Sequence, residues 1–183
     1  PGLGVELAIL NDEGQALPRD GESVGEICAR SNVVFRGYWE QPEETARAIR
    51  DGWFHTGDLG SWDAVGNIQI TDRKKDVIIS GGENVSSIEV EDTLFSHPAV
   101  AEVAVIGVPD EKWGETIKAL VVLADGASVD ERSLIDHCRE ILAHFKCPTS
   151  VEFRDELSRT ATGKLQKFKL RAPYWEGMEK QIN

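Results

Sequence analysis

Short apolar runs broken by turn residues fill the first seventy positions of the chain. VELAIL at 5–10, VGEICAR at 24–30 and NIQIT at 67–71 have the length and residue types of strands, with NDEG at 11–14 and the polar WDAVGN stretch as the turns between them. One helix is predicted at about 42–50, because Pro42 suits a first helical position and Glu43 and Glu44 suit the positive end of the helix dipole. Asp51-Gly52 supplies its stop. After about residue 72 the pattern becomes one of strands alternating with helices. VIIS (77–80) is a strand followed by a glycine turn, GGEN, and Ser86 with Glu89 three residues on forms a capping box for a helix of 86–96 that Pro98 closes. VAEVAVIGV (100–108) and IKALVVL (117–123) are the next strands. Asp130 caps a helix whose apolar positions Leu134, Ile135, Cys138, Ile141 and Leu142 fall at helical spacing, and SVEF (150–153) is a last strand.

Composition narrows what such a chain can be. Its 183 residues, 40% of them hydrophobic, suffice for one ordinary domain or two small ones, and the expectation is a soluble globular protein or a piece of one. No window approaches the run of about 20 apolar residues that a membrane span requires. The N-terminus, PGLGVELAIL, has neither a basic leader nor an initiating Met and reads as a processed or excised segment. Cys28, Cys138 and Cys147 are odd in number and form no CxxC pair, so a disulfide scaffold and a zinc site are both disfavoured and no metal site is expected. A reducing cytoplasm is the simplest setting. The net charge of −12 argues against nonspecific nucleic-acid binding by the molecule as a whole.

Charge is unevenly placed. Residues 1–72 carry 5 basic and 13 acidic side chains, whereas residues 73–183 carry 15 and 19. Between them stands TDRKKD (71–76), read as a linker, which divides the chain into domains of 1–72 and 73–183 with a hinge near 73–76. The stretch RTATGKLQKFKLR (159–171) holds five of the twenty basic residues and no acid.

Four stretches have residues suited to chemistry, each with a plainer alternative. In GWFHTGDLG (52–60) a lone carboxylate, Asp58, sits in a glycine-bounded turn and could accept hydrogen bonds from vicinal hydroxyls; it could equally cap its own turn. In TDRKKD, Arg73 could touch a polyanion while its neighbours flex, or the run is simply solvated. SGGEN (80–84) lies between a strand and a helix, where glycines let backbone N–H groups approach a ligand, though it matches no complete phosphate-loop pattern. In the basic stretch, Thr160, Thr162 and Gly163 form a polar turn that could present Lys164 to an anionic oxygen. Lys167, Lys169 and Arg171 alternate with Leu165, Phe168 and Leu170, an arrangement that pins the segment and keeps its charges wet. With only Phe168 available to stack, nucleic-acid binding by this stretch is disfavoured.

Taken in order, GEICARSNVVFRGYW, DGWFHTGDLG, ITDRKKDVIISGGENVSSIEVED, HPAVAEVAVIGVPDEKWGE and RTATGKLQKFKLR resemble the C-terminal motifs of the adenylate-forming superfamily, which includes acyl-CoA synthetases, peptide-synthetase adenylation domains and luciferases. Within it the wording is most similar to medium- or long-chain fatty-acyl-CoA ligases. The resemblance implies an α+β chain: the β-rich end of a large AMP-binding domain, a distorted β-barrel subdomain, followed by a small α+β lid with a central sheet flanked by helices. It implies two half-reactions, in which a carboxylate attacks the α-phosphate of ATP and a thiol, CoA, then displaces AMP.

By the same resemblance Asp58 and Arg73 contact the nucleotide, and Lys75 is the hinge. Ser80, Gly81, Gly82 and Glu83 line the passage for the CoA arm, with Trp113, Phe145 and Lys146 near its nucleotide end. Lys164 is the adenylation lysine, bridging carboxylate and phosphate oxygens. ATP with Mg2+ and CoA are the expected cofactors, and the phosphate loop, acyl pocket and adenine segment are expected on an N-terminal domain of several hundred further residues. Ser158 stands where the family usually has Pro, which makes the approach to the lysine loop less rigid. The expected partners are a small carboxylic acid, ATP, CoA and that N-terminal domain; exposed β edges leave a homodimer open. The alternatives are an aryl-CoA ligase, a peptide-synthetase adenylation domain, or a noncatalytic module that binds CoA or a nucleotide.

Overall fold

The computed structural model describes residues 4–177. The chain forms two compact units, Pro1–Lys74 and Lys75–Asn183, each with its own five-stranded sheet.

The first unit is antiparallel throughout. Strands β1 (Glu6–Leu10), β2 (Gly25–Arg30), β4 (Trp53–Trp62) and β3 (Ile49–Arg50) follow one another across the sheet, and β5 (Ile68–Arg73) pairs with β4. Helix α1 (Pro42–Ala48) is shorter than expected. Asp51 and Gly52 do not end it; both have positive φ (51° and 80°), which makes them the two-residue turn of the β3–β4 hairpin, and Ile49 and Arg50 belong to that hairpin's first strand. The stretch expected as a glycine-bounded turn, 52–60, is mostly strand β4. Its glycine at 57 serves a bulge instead: β2 pairs Glu26 with Leu59 but Cys28 with His55, and Gly57 takes φ of 77° where the strand steps out of register. The core is thin, built on Ala8, Leu10 and Cys28 with Trp53 against them. Val33, Trp39, Val65 and Ile70 stay exposed.

In the second unit β8 (Val100–Asp110) and β9 (Gly114–Leu123) form a long antiparallel hairpin. The other edge of β9 takes β10 (Ser150–Phe153) in parallel at one end and β6 (Ile78–Ser80) at the other, where Ser80 pairs with Gly114; β6 turns back through Gly81-Gly82 into β7 (Glu83–Val85). Glu83 and Asn84, expected in the turn, are therefore strand residues.

Side chains alternate across β8 and β9, and both faces are covered. Val105, Ala119 and Val121 pack under Val90 and Leu94 of α2 (Ser87–Phe95) and Leu134, Ile135 and Cys138 of α3 (Glu131–Ile141). Ala104, Ile106, Val108 and Leu120 pack under Leu157, Leu165 and Leu170. A sheet covered on both sides has near-continuous apolar strands, as VAEVAVIGV and IKALVVL do. The caps fall where the sequence puts them: Ser86 accepts from the Glu89 amide at 3.3 Å and Asp130 from the Ser133 amide at 2.7 Å.

The basic stretch differs from its expected form. Lys167–Arg171 is a single helical turn, α4, which buries Leu170 and leaves Phe168 exposed. Two of its charges are not wet. Lys167 meets Glu91 at 2.7 Å and Arg171 reaches Asp76 at 3.8 Å, with all four side chains largely buried.

Because Leu134 is fully buried between α3 and the sheet, Leu134→Ala is expected to lower the unfolding free energy by about 2–5 kcal/mol in a urea titration.

Candidate functional site

In the first unit the chemistry gathers around the β4 bulge. Asp58 and Arg73 are direct cross-strand partners, Arg73 Nε lying 3.3 Å from Asp58 Oδ1, with both side chains partly exposed. The Thr56 hydroxyl donates to the Ile27 carbonyl at 2.7 Å and accepts from the Asp58 amide at 3.1 Å, which fixes the backbone on which Asp58 stands. Two expected nucleotide contacts are thus brought together.

Beneath them lies a buried ionic cluster that the sequence reading missed. Glu26 is inside, with His55 Nδ1 at 3.0 Å, Lys74 Nζ at 3.5 Å, Arg50 Nη2 at 3.7 Å and the Gly57 amide donating to it at 3.2 Å. Burial pushes the Glu26 carboxyl up, but the His55 hydrogen bond and the Lys74 charge outweigh it and hold the group below its ordinary value of 4.5. Lys74 is likewise held charged: burial pushes it down, and the Asp12 carboxylate at 2.7 Å together with Glu26 more than compensates. The Lys74 amide also donates to the Gly57 carbonyl at 2.8 Å, so the last residue of the first unit is held by backbone and side chain alike. Glu26, Cys28 and His55 offer ligand atoms within 4.8 Å of one another, yet two cations already neutralise the carboxylate, which suits the trio poorly to a metal ion. Burial lifts the Cys28 thiol to about 11 and the Cys138 thiol to about 12, so neither is a nucleophile near neutral pH.

In the second unit a cavity of about 730 Å³ opens where β6, β9 and α3 meet, and Ser80, Gly81, Glu83, Trp113 and Phe145 all line it. Gly81 is irreplaceable on two counts. Its φ is +61°, and a Cβ there would lie 2.7 Å from the Trp113 ring. Gly82 sits at the hairpin tip beside the cavity, not in its wall. Lys146 has turned away, its ammonium 2.7 Å from Glu89. Arg139 brings a positive charge to the wall that the sequence reading did not foresee, with His144 beside it. The signal for Arg139 was its place four residues after Ile135 on α3, beside the buried stripe.

Lys75 begins the second unit and is exposed. Lys164 lies on a separate loop, away from the cavity wall. Thr160 donates its amide to the Lys164 carbonyl at 2.8 Å, and its hydroxyl accepts from the Lys164 amide at 3.0 Å. Among the described residues the Lys164 ammonium has no ion-pair partner, in contrast to Arg159, Lys167 and Arg171.

Known sequences define a family to which these units can be compared. Residues 89–164 match the AMP-binding enzyme C-terminal domain. The chain is 47% identical over 171 residues to 4-hydroxybutyrate–CoA ligase 2 of Metallosphaera sedula, covering 93% of this chain and 31% of that protein. It is 48% identical over 161 residues to a 2-methylpropanoate–CoA ligase of Humulus lupulus, covering 86% and 29%. The crystal structure of ATP-bound MatB from Rhodopseudomonas palustris superposes with a TM-score of 0.87 at 42% identity, over 93% of this chain and 34% of that one. The chain belongs to the adenylate-forming superfamily and corresponds to its C-terminal part. It spans about a third of the length of the relatives it matches.

A depressed carboxyl contributes stability above its ordinary value and loses it as pH falls through the lower folded one. Glu26→Gln is therefore expected to destabilise by about 1–3 kcal/mol at neutral pH. The gap from the unsubstituted chain should narrow below pH 4.5 in urea melts followed across pH.

Proposed function

We propose that this chain is the C-terminal portion of an ATP-dependent, AMP-forming acyl-CoA ligase that activates a fatty or related short- or medium-chain acid and passes it to CoA. The observation that carries the reading is the position of the two sites in the second unit. Lys164 hangs from the strand end bearing Glu102, through the Arg159 guanidinium, while the cavity sits at the Gly114 end. The eight steps from Glu102 to Asp110 along β8 span about 27 Å. One small unit cannot present both ends to a single reaction centre at once. It can present each in turn if it swings, with Lys75 as the pivot in a hinge-type rigid-body switch.

In the first half-reaction Lys164 neutralises charge that builds between the attacking carboxylate and the α-phosphate, and Asp58 accepts hydrogen bonds from the ribose with Arg73 beside it. In the second, Ser80, Gly81, Gly82 and Glu83 border the CoA arm. Trp113 and Phe145, each about half exposed, offer ring faces to its adenine, and the unforeseen Arg139 in the cavity wall stands near its phosphates, which Lys146 reaches only by leaving Glu89. The fit is chemical: a narrow arm needs a glycine wall, and a polyphosphate needs cations. The phosphate loop, the acyl pocket and the ligands for magnesium are assigned to an N-terminal domain beyond residues 1–183, which is also the main partner of this chain. The two relatives above are named for four-carbon acids, which favours the short end of the substrate class. Three free, buried cysteines fit a reducing cytoplasm.

In the full-length enzyme Lys164→Ala is expected to slow acid-dependent ATP–pyrophosphate exchange by about 10²–10³-fold and to leave CoA transfer from a preformed acyl-adenylate nearly intact. Normal exchange in that variant contradicts the assignment. The 183-residue chain alone is expected to show no exchange with any fatty acid, and measurable turnover would overturn that expectation.

A further inference from the structure

We infer that Arg159 is a positioning residue for Lys164, acting as a latch between the lysine loop and strand β8; the inference rests on the role proposed for Lys164. The loop is a small closed structure. Arg159 and Leu165 form a β-bridge, the Gln166 amide donates to the Ser158 carbonyl at 2.8 Å, and the Gly163 amide donates to the Thr160 carbonyl at 2.9 Å, with Gly163 at φ of +84°. Leu157 and Leu165 seat the base of the loop on the sheet. These contacts, with the two hydrogen bonds between Thr160 and the Lys164 backbone, close the loop on itself, and none of them ties its tip to the sheet.

Arg159 supplies the missing restraint. One arm of its guanidinium, Nη1, donates to the Gly163 carbonyl at 2.8 Å. The other, Nη2, donates to Glu102 Oε2 on β8 at 2.7 Å. The Gly163 carbonyl belongs to the peptide that joins Gly163 to Lys164, so holding it sets the plane from which the Lys164 side chain departs. A planar guanidinium with donors in fixed directions can tie a carbonyl to a carboxylate in one geometry, which a lysine ammonium cannot do. The loop therefore takes its orientation from the most extensive strand pairing in the unit.

Arg159 and Glu102 are both about 40% exposed. A pair so wet adds little to stability. What it changes is where an ammonium stands, and for a reacting geometry a displacement of about 1 Å can cost around 10²-fold in rate. Position and stability should therefore separate on mutation. The neighbouring charged contacts behave differently: Lys167 with Glu91 and Ser87 is largely buried and holds α4 against α2 as part of the fold.

The test compares Arg159→Met, Glu102→Gln and the charge swap Arg159→Glu with Glu102→Arg in the full-length enzyme. Arg159→Met is expected to lower kcat for ATP–pyrophosphate exchange by about 10- to 100-fold with little change in KM or melting temperature, and to spare CoA transfer from preformed acyl-adenylate. Glu102→Gln should fall between that variant and the unsubstituted enzyme. The swap should be as slow as Arg159→Met, because a carboxylate at 159 cannot donate to the Gly163 carbonyl even though the ion pair is restored; recovery of exchange in the swap overturns the latch. Exchange within about twofold of normal in Arg159→Met, with Lys164→Ala inactive, overturns it as well.

Amide hydrogen exchange on the 183-residue chain gives a readout independent of catalysis. Arg159→Met should speed exchange at Gly163 and Lys164 while leaving β8 unchanged, and unaltered protection there contradicts the latch. Should Lys164→Ala retain exchange with pyrophosphate, the role of Lys164 fails, and the amide measurement still decides whether Arg159 holds the loop.

Discussion

The β8–β9 hairpin is the constraint from which the second unit is built. Nine consecutive pairings, from Glu102 with Val122 to Asp110 with Gly114, and a tenth, Val100 with Leu123, past the bulge, make a rigid beam with apolar side chains on both faces. Helices α2 and α3 cover one face, and Leu157, Leu165 and Leu170 cover the other. The same beam holds the two proposed sites at its ends. At the turn end Ser80 pairs with Gly114 and brings the Gly81-Gly82 turn against Trp113; at the far end Glu102 holds Arg159 and, through it, the loop of Lys164. A packed beam does not bend to bring its ends together, so two-site chemistry in this unit requires movement of the whole.

Electrostatics imposes a second requirement. In a chain of net charge −12, a cation meant for a substrate has to escape the surrounding carboxylates. The basic stretch resolves this by division. Arg159, Lys167 and Arg171 are each taken up by a carboxylate of their own unit, Lys169 stands over the Phe168 ring at 6.0 Å without an ion pair among the described residues, and Lys164 is carried on a turn closed by Thr160 and Gly163. In the first unit the reverse holds. Lys74 is committed wholly to Asp12 and Glu26, which anchors the chain just ahead of the boundary, whereas Lys75 one residue later is exposed. Within a single peptide step the side chain passes from one held by two carboxylates to an exposed one, although the Lys75 carbonyl still accepts from Arg171 Nη1 at 3.1 Å.

Much of the fold was legible because its signals are local. The helices capped by Ser86 and Asp130 and the apolar runs of β8 and β9 depend on residues a few positions apart, whereas the α+β class was what the family resemblance implied. Strand β4 was not legible, because its glycine serves a bulge defined by partners on β2 and β5 that lie some thirty residues before it and about fifteen after it. The Asp51-Gly52 turn was misassigned for a related reason: the same dipeptide can stop a helix or make a hairpin, and only the pairing of Ile49 and Arg50 with β4 chooses. Lys164, Gly81 and Trp113 were named from the resemblance of whole motifs, not from periodicity. The Glu26 cluster and the Arg159–Glu102 contact were invisible, since each joins residues that meet only after the sheets form.

The central claim is that the second unit swings about Lys75 to offer its two ends in turn. The direct measurement is the distance between spin labels on cysteines placed at the exposed positions Val65 and Glu140 in the full-length enzyme, the native thiols being buried. The account predicts one distance distribution with ATP and acid and a distinctly different one with acyl-adenylate and CoA. A single distribution, unchanged between the two conditions, would contradict it.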